Sequence, residues 1–114
     1  MRSFDLSTRN EANAAIVEVA GSVDAVTSAR LAEALNQQLE AGRPRIVVDL
    51  GGVGYASSAA LRALLAGVKG ARGAGGDLRI AAVTPEVAKV LEMAGFDGIV
   101  RRFDDTAAAV ASFS

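Results

Sequence analysis

The sequence predicts an α/β fold in which strands and helices alternate after an opening hairpin. Two patterns support this prediction. Short apolar runs rich in β-branched residues recur along the chain, and the segments between them carry apolar residues at helical spacing. Strands joined through helices favour parallel pairing with right-handed crossovers. We therefore expect the order β-β-α-β-α-β-α-β-α, with a mixed sheet whose parallel central strands are covered by helices.

The opening segment predicts a hairpin followed by a helix. Residues 3–8 alternate weakly, as an edge strand does, and a polar turn at residues 10–13 precedes the β-branched run Ala14–Ala20. A bend at Gly21-Ser22 follows. From Ala25 onward the apolar residues take the i, i+4, i+8 spacing of one helix face. That stripe consists of Leu31, Leu35 and Leu39.

The middle of the chain predicts a buried strand, a loop and a second helix. Gly42 ends the first helix, and Ile46–Leu50 is an almost continuous apolar run, which is typical of a central parallel strand. The glycine-rich stretch Gly51–Gly54 indicates a flexible loop. A second helix is expected from Ser58 to Ala71, with Leu61 as a core anchor. Its inward stripe is predicted to be Leu61, Leu64, Leu65 and Val68.

The last third predicts two further strands and two helices. The glycines of residues 70–76 indicate a loop before the apolar strand Leu78–Val83. Thr84-Pro85-Glu86 combines a capping residue, a proline at the first helical position and an acid near the positive helix end, so it predicts a helix start. Ile99-Val100 indicates a short last strand. Asp104 or Asp105 is expected to cap a final alanine-rich helix.

Composition narrows the classes of function. At 114 residues we expect a single domain, 1–114, and a net charge of −1 argues against a nucleic-acid partner. The chain has no Cys and no His, which excludes disulfides, thiolate or imidazole metal sites and histidine general bases. We expect no cofactor and no enzymatic activity. Neither a signal peptide nor an apolar run of membrane-spanning length is visible, so we expect a cytoplasmic protein without membrane insertion.

Two stretches carry a resemblance to a known family. Val17–Leu31 is similar to a strand that ends in Gly-x-Leu-Asp and leads into a helix, with Val23 in place of the Leu. Ile46–Leu65 is similar to the next strand, loop and helix, with Tyr55 at an aromatic position. Together with the element order, they resemble the STAS domain family of the anti-sigma-factor-antagonist type over essentially the whole chain.

The resemblance points to one candidate switch residue. Phosphorylatable members carry Asp-Ser-Ser-Gly-Leu where a loop meets the second helix, and here that pentad reads Ser-Ser-Ala-Ala-Leu over residues 57–61. Ser58 falls on the phosphoacceptor position, with Ser57 as the second choice. Ser57 replaces the acid of the family motif, and Ala59 and Ala60 replace its second Ser and its Gly. The residues alone leave open that Ser57 or Ser58 is simply a helix N-cap.

The resemblance also implies a partner and a contact surface. The partner would be an anti-sigma factor or serine kinase of the histidine-kinase-like ATPase type, and the alternative is the ATPase of an ABC transporter of the lipid-trafficking kind. Asp24 is also interpretable as an N-cap or as a residue of the turn before the first helix, since Asp favours those sites. The predicted contact residues are Asp24, Val53, Tyr55, Ser57, Ser58, Ala59 and Arg62.

Overall fold

The chain folds into one five-stranded sheet with helices on both faces. In the computed structural model, which describes residues 3–113, the sheet order is β1-β2-β3-β4-β5. β1 is antiparallel to β2, and the other neighbours pair in parallel. The predicted order is thus confirmed. The elements are β1 (Phe4–Glu11), β2 (Ala14–Val23), α1 (Ser28–Glu40), β3 (Arg45–Ala56), α2 (Ser58–Gly73), β4 (Asp77–Ala81), α3 (Pro85–Met93), a 3-10 turn (Phe96–Gly98), β5 (Arg102–Phe103) and α4 (Thr106–Ala111).

Alternate residues of the central strands enter two separate cores. One core lies beneath α1, α2 and α3, where Val48 of β3 packs with Leu35 and Leu64. The other core is smaller and lies beneath α4, where the neighbouring Val47 packs with Ala109. Both faces of β3 are buried over its first half, which explains why Ile46–Leu50 reads as an almost continuous apolar run.

β3 is longer than the sequence suggests. The predicted loop Gly51–Gly54 is wrong, because β3 continues to Ala56 and stays paired with β2. The pairing contains a register irregularity near Ala20. A Cβ placed on Gly52 would lie 2.8 Å from the Cβ of Ala20, so glycine permits a close approach of two strands rather than a flexible loop.

Further boundaries differ from the prediction: β2 continues through the expected bend at Gly21-Ser22 to Val23, and β4 ends at Ala81 rather than Val83. α1 begins at Ser28 rather than Ala25, because a side-chain-bonded turn occupies the three residues before it. α2 runs to Gly73, so the predicted loop starts later than expected. The last strand is Arg102–Phe103, paired with β4. The predicted Ile99-Val100 strand is wrong, since Val100 is a buried anchor that follows the 3-10 turn.

The buried face of α2 is rotated relative to the predicted stripe. Leu64 and Val68 are buried as expected, at 3% and 1% exposure. Leu61 and Leu65, however, are only partly buried and pack against the edge of the core. The expectation that Leu61 is a central core anchor is therefore corrected. Small residues fill the middle of this face, namely Ala60, Ala63, Gly67 and Ala71.

Candidate functional site

The predicted switch segment lies where β3 ends and α2 begins. The Ser57 N–H donates to the carbonyl of Val23 at 2.9 Å, which fixes this junction to the end of β2. The Ser57 Oγ accepts from the Ala60 N–H at 3.3 Å, so Ser57 is the N-cap of α2. The N-cap interpretation is thus confirmed for Ser57, and its hydroxyl is engaged in holding the helix start.

Ser58 is the first residue of α2 and is exposed. Ser58 thus lies at the N-terminal end of α2, where an anion is favoured by hydrogen bonding to the free N–H groups and by the helix dipole. Arg62 is also exposed and lies one turn further along α2, on the same face as Ser58. No acidic residue occupies the first turn of this helix. The surroundings of the Ser58 hydroxyl are therefore suited to negative charge.

Asp24 organises the turn that leads into α1. Its Oδ1 accepts from the N–H groups of Val26 and Thr27, each at 2.9 Å, and its own N–H donates to the Thr27 hydroxyl at 2.9 Å. The Thr27 hydroxyl in turn donates to the Ser22 carbonyl at 2.9 Å. The interpretation of Asp24 as a turn residue is confirmed, while its contact with a partner stays a prediction.

The turn that Asp24 stabilises presents an apolar side chain that the sequence prediction missed. Val26 is 79% exposed at the tip of this turn, beside the end of β2. The signal was present in the sequence, because Val26 lies outside the Leu31, Leu35 and Leu39 stripe and therefore had no place in the predicted core. Val26 belongs with the candidate contact residues.

Tyr55 completes the apolar part of this end of the sheet. It is the second-to-last residue of β3, opposite Ser22 of β2, and it is 43% exposed. Because Ser57 is bonded to Val23 and Tyr55 pairs with Ser22, the ends of β2 and β3 bring four predicted residues together. These residues are Asp24, Tyr55, Ser57 and Ser58.

Val53 does not belong to this surface. Its side chain is fully buried in the larger core, and its carbonyl accepts from the Thr84 hydroxyl at 2.9 Å. Thr84 also caps α3, through its hydroxyl and the Val87 N–H. Val53 therefore anchors β3 to the start of α3, and its prediction as a partner contact was wrong. We define the switch surface as Asp24, Val26, Tyr55, Ser57, Ser58, Ala59 and Arg62.

Two general features bear on the chemistry available to the chain. Within residues 3–113, no group of three or more acidic side chains is arranged to hold a metal ion. None of the helices in the same range is long and apolar enough to cross a bilayer.

Comparisons with known proteins agree with this architecture. Residues 6–101 match the family model described as MlaB, STAS domain. A relative from Bordetella bronchiseptica, BtrV, named an anti-sigma factor antagonist, is 36% identical over 93 residues, which cover 82% of this chain and 80% of the relative.

Solved structures show the same fold at lower sequence identity. An anti-sigma factor antagonist from Mycobacterium paratuberculosis superposes with a TM-score of 0.89 at 22% identity, covering 97% of this chain and 94% of that one. The Bacillus cell fate determinant SpoIIAA in its phosphorylated form superposes with a TM-score of 0.74 at 12% identity, covering 98% and 100%. STAS domains of the anti-sigma factor antagonist kind are non-catalytic regulators, in agreement with the predicted lack of enzymatic activity. The family model, the relative and the fold agree, and the chain belongs to the STAS domain family.

Proposed function

We propose that this protein is a cytoplasmic, single-domain regulatory binding module that docks an anti-sigma factor through the switch surface and so controls transcription. The 36% identity to BtrV, which is named an anti-sigma factor antagonist, supports this class of partner. The observation that carries the proposal is the exposure of Val26 and Tyr55 beside Ser58. Apolar and aromatic side chains next to polar ones are typical of protein-binding surfaces.

Phosphorylation of Ser58 is the proposed switch, and the kinase is the partner itself, of the histidine-kinase-like ATPase type. The exposed hydroxyl stands at the start of α2 and on the same face as Arg62, so the fold tolerates a phosphate there. The phosphate adds roughly −1.5 to −2 charges, which a docked partner would have to desolvate or oppose. Phosphorylation would therefore weaken docking without unfolding the domain.

The test begins with capture of the partner from the native cell and continues with titrations of variants. We expect Ser58→Asp to lower the partner affinity at least about tenfold, which corresponds to about 1.4 kcal/mol. Ser58→Ala should bind like the wild type. Ser58→Asn is the matched control, because it is close to Asp in size and shape and carries no charge. Equal affinities of wild type and Ser58→Asp would remove the switch from the proposal.

Intact mass after incubation with the partner and ATP locates the acceptor. We expect one phosphate on Ser58 and none on the Ser58→Ala variant. Ser57→Asp restores the acid of the family motif and can still cap α2, so it should make the protein a better kinase substrate. A phosphate mapped to Ser57 would move the acceptor by one residue.

A second candidate keeps the fold and changes the partner. Ser57, the N-cap of α2, replaces the acid that stands before the acceptor in the family motif. A STAS subunit bound constitutively to the ATPase of an ABC transporter needs no acceptor and no acid. Capture of a transporter ATPase, with no phosphate on any serine, would favour this candidate over the anti-sigma factor.

A further inference from the structure

β1 is a long edge strand whose outer side no other segment covers within residues 3–113. It spans Phe4–Glu11 at one end of the sheet order and pairs with β2 alone. That pairing has no register shift, in contrast to the pairing of β2 with β3. Natural edge strands are usually protected by prolines, bulges, short length or charged side chains. β1 is eight residues long, without proline or bulge, and its charged residues Asp5, Arg9 and Glu11 are of both signs, so its outer edge is suited only to a strand of complementary charge.

The pairing with β2 fixes which backbone groups face outward. The Ser22 N–H donates to the Ser3 carbonyl at 2.8 Å, and the register continues without a break from Phe4 opposite Gly21. Antiparallel strands alternate between hydrogen-bonded and non-hydrogen-bonded pairs, so the odd-numbered residues of β1 direct their backbone groups toward β2. The outward groups belong to the even-numbered residues, Phe4, Leu6, Thr8 and Asn10.

This alternation restricts how two copies of β1 could pair with each other. In an antiparallel pair, even-numbered residues must face even-numbered residues. A register centred on Ser7 places Asp5 opposite Arg9 of the second copy, and Arg9 opposite its Asp5. A register centred on Thr8 instead places Asp5 opposite Glu11, which brings like charges together. Opposite charges on facing strands stabilise a sheet and like charges destabilise it.

We propose that β1 is a self-association edge, through which two copies of this chain form a symmetric dimer centred on Ser7. The sheets of the two copies then join into one continuous sheet. Arg9 already pairs with Glu18 on the neighbouring strand and, at 3.4 Å, with Glu11. Its side chain remains 46% exposed, so it can also meet Asp5 of the second copy. The switch surface lies at the Phe4 end of β1, so the symmetry carries the two switch surfaces to opposite ends of the dimer.

A charge-swap experiment tests the register. Sedimentation velocity over a concentration series should show a dimer for the full chain. Asp5→Arg creates two Arg–Arg contacts and Arg9→Asp creates two Asp–Asp contacts, so each variant alone should raise the dissociation constant at least about tenfold. An equimolar mixture of the two variants restores opposite charges at both positions. We expect this mixture to form a heterodimer whose dissociation constant is lower than that of the homodimer of either variant.

A cysteine experiment tests the position of the symmetry axis, and the chain suits it because its sequence contains no cysteine. Ser7 faces its own copy in a non-hydrogen-bonded pair, where the Cα atoms lie about 4.5 Å apart, within disulfide range. Mild oxidation of Ser7→Cys should therefore link the dimer covalently. Asn10→Cys is the matched control: it is exposed on the same strand, faces Phe4 of the other copy and should stay largely unlinked.

The outcomes separate this proposal from others. A chain that stays monomeric throughout the series and gives no more linkage for Ser7→Cys than for Asn10→Cys would overturn it. A dimer that Asp5→Arg leaves unchanged would also overturn it, since the contact would then lie on another surface. Circular dichroism of each variant shows whether the fold is retained. Binding of the proposed partner is measured separately, so failure here leaves the proposed function untouched.

Discussion

Leu64 and Leu61 stand one turn apart on α2 and differ in their surroundings. Leu64 is 3% exposed inside the larger core, whereas Leu61 packs at its edge and is only partly buried. We expect Leu64→Ala to cost about 2–5 kcal/mol of unfolding free energy, because truncation leaves a cavity in a packed interior. Leu61→Ala should cost clearly less, since solvent and neighbouring side chains can fill the space. Urea denaturation of both variants measures the difference.

The comparison between the two leucines is the informative result. If Leu61→Ala cost as much unfolding free energy as Leu64→Ala, or more, then α2 would bury the side that the sequence predicted, with Leu61 in the core.

At the level of single residues, the sequence predicted which residues cap helices better than it predicted which valines are buried. The capping residues Thr84 and Asp105 are found at the predicted helix starts. Val53 was predicted as a partner contact and is buried, whereas Val26 is exposed and was not among the predicted contacts. Val53 lies in a Gly-rich segment with no periodicity that would assign it to a face, so only its tertiary contacts decide.

Among the elements, α2 depends on a glycine that brings it close to its neighbours. A Cβ on Gly67 would lie 2.8 Å from the Cδ1 atoms of both Leu35 and Leu78, which are themselves buried and have little room to move. We expect Gly67→Ala to destabilise the protein, because an overpacking cost of about 1–3 kcal/mol exceeds a gain in helix propensity of about 1 kcal/mol. Thermal unfolding followed by circular dichroism measures the change.

Gly73 provides the matched control for this substitution. It is the last residue of the same helix, and a Cβ there would meet no atom within 4 Å. Gly73→Ala should be neutral or slightly stabilising. If both substitutions changed the melting temperature equally, the close approach at Gly67 would carry no energetic weight.

The identity and order of the elements followed from the sequence, but several of their ends did not. Gly51–Gly54 was assigned to a loop on the basis of local flexibility, whereas pairing with β2 keeps it in β3. Ile99-Val100 was assigned to a strand on the basis of β-branched composition, whereas β4 pairs with Arg102 and Phe103. In both cases a partner strand distant in sequence decided the structure, and local propensity cannot register that.

At the scale of the whole molecule, stability rests on aliphatic packing. The two cores are built almost entirely from Val, Leu, Ile and Ala, and the described residues contain no cluster of acids suited to a metal. We expect thermal melts with and without EDTA to coincide, because metal bound only by the native state would add stability that a chelator removes. A lower melting temperature in EDTA would show that a metal contributes to the fold.

The place of Tyr55 has a practical consequence. The chain contains one tyrosine and no tryptophan, and that tyrosine lies half-exposed on the switch surface. Its emission therefore originates from a single ring located where docking is proposed to occur. A partner domain that contains neither tryptophan nor tyrosine could be titrated with no dye attached, and quenching or a change in anisotropy of the Tyr55 emission would report docking. Because Tyr55 lies near the end of β3, the protein carries an intrinsic fluorophore on its switch surface.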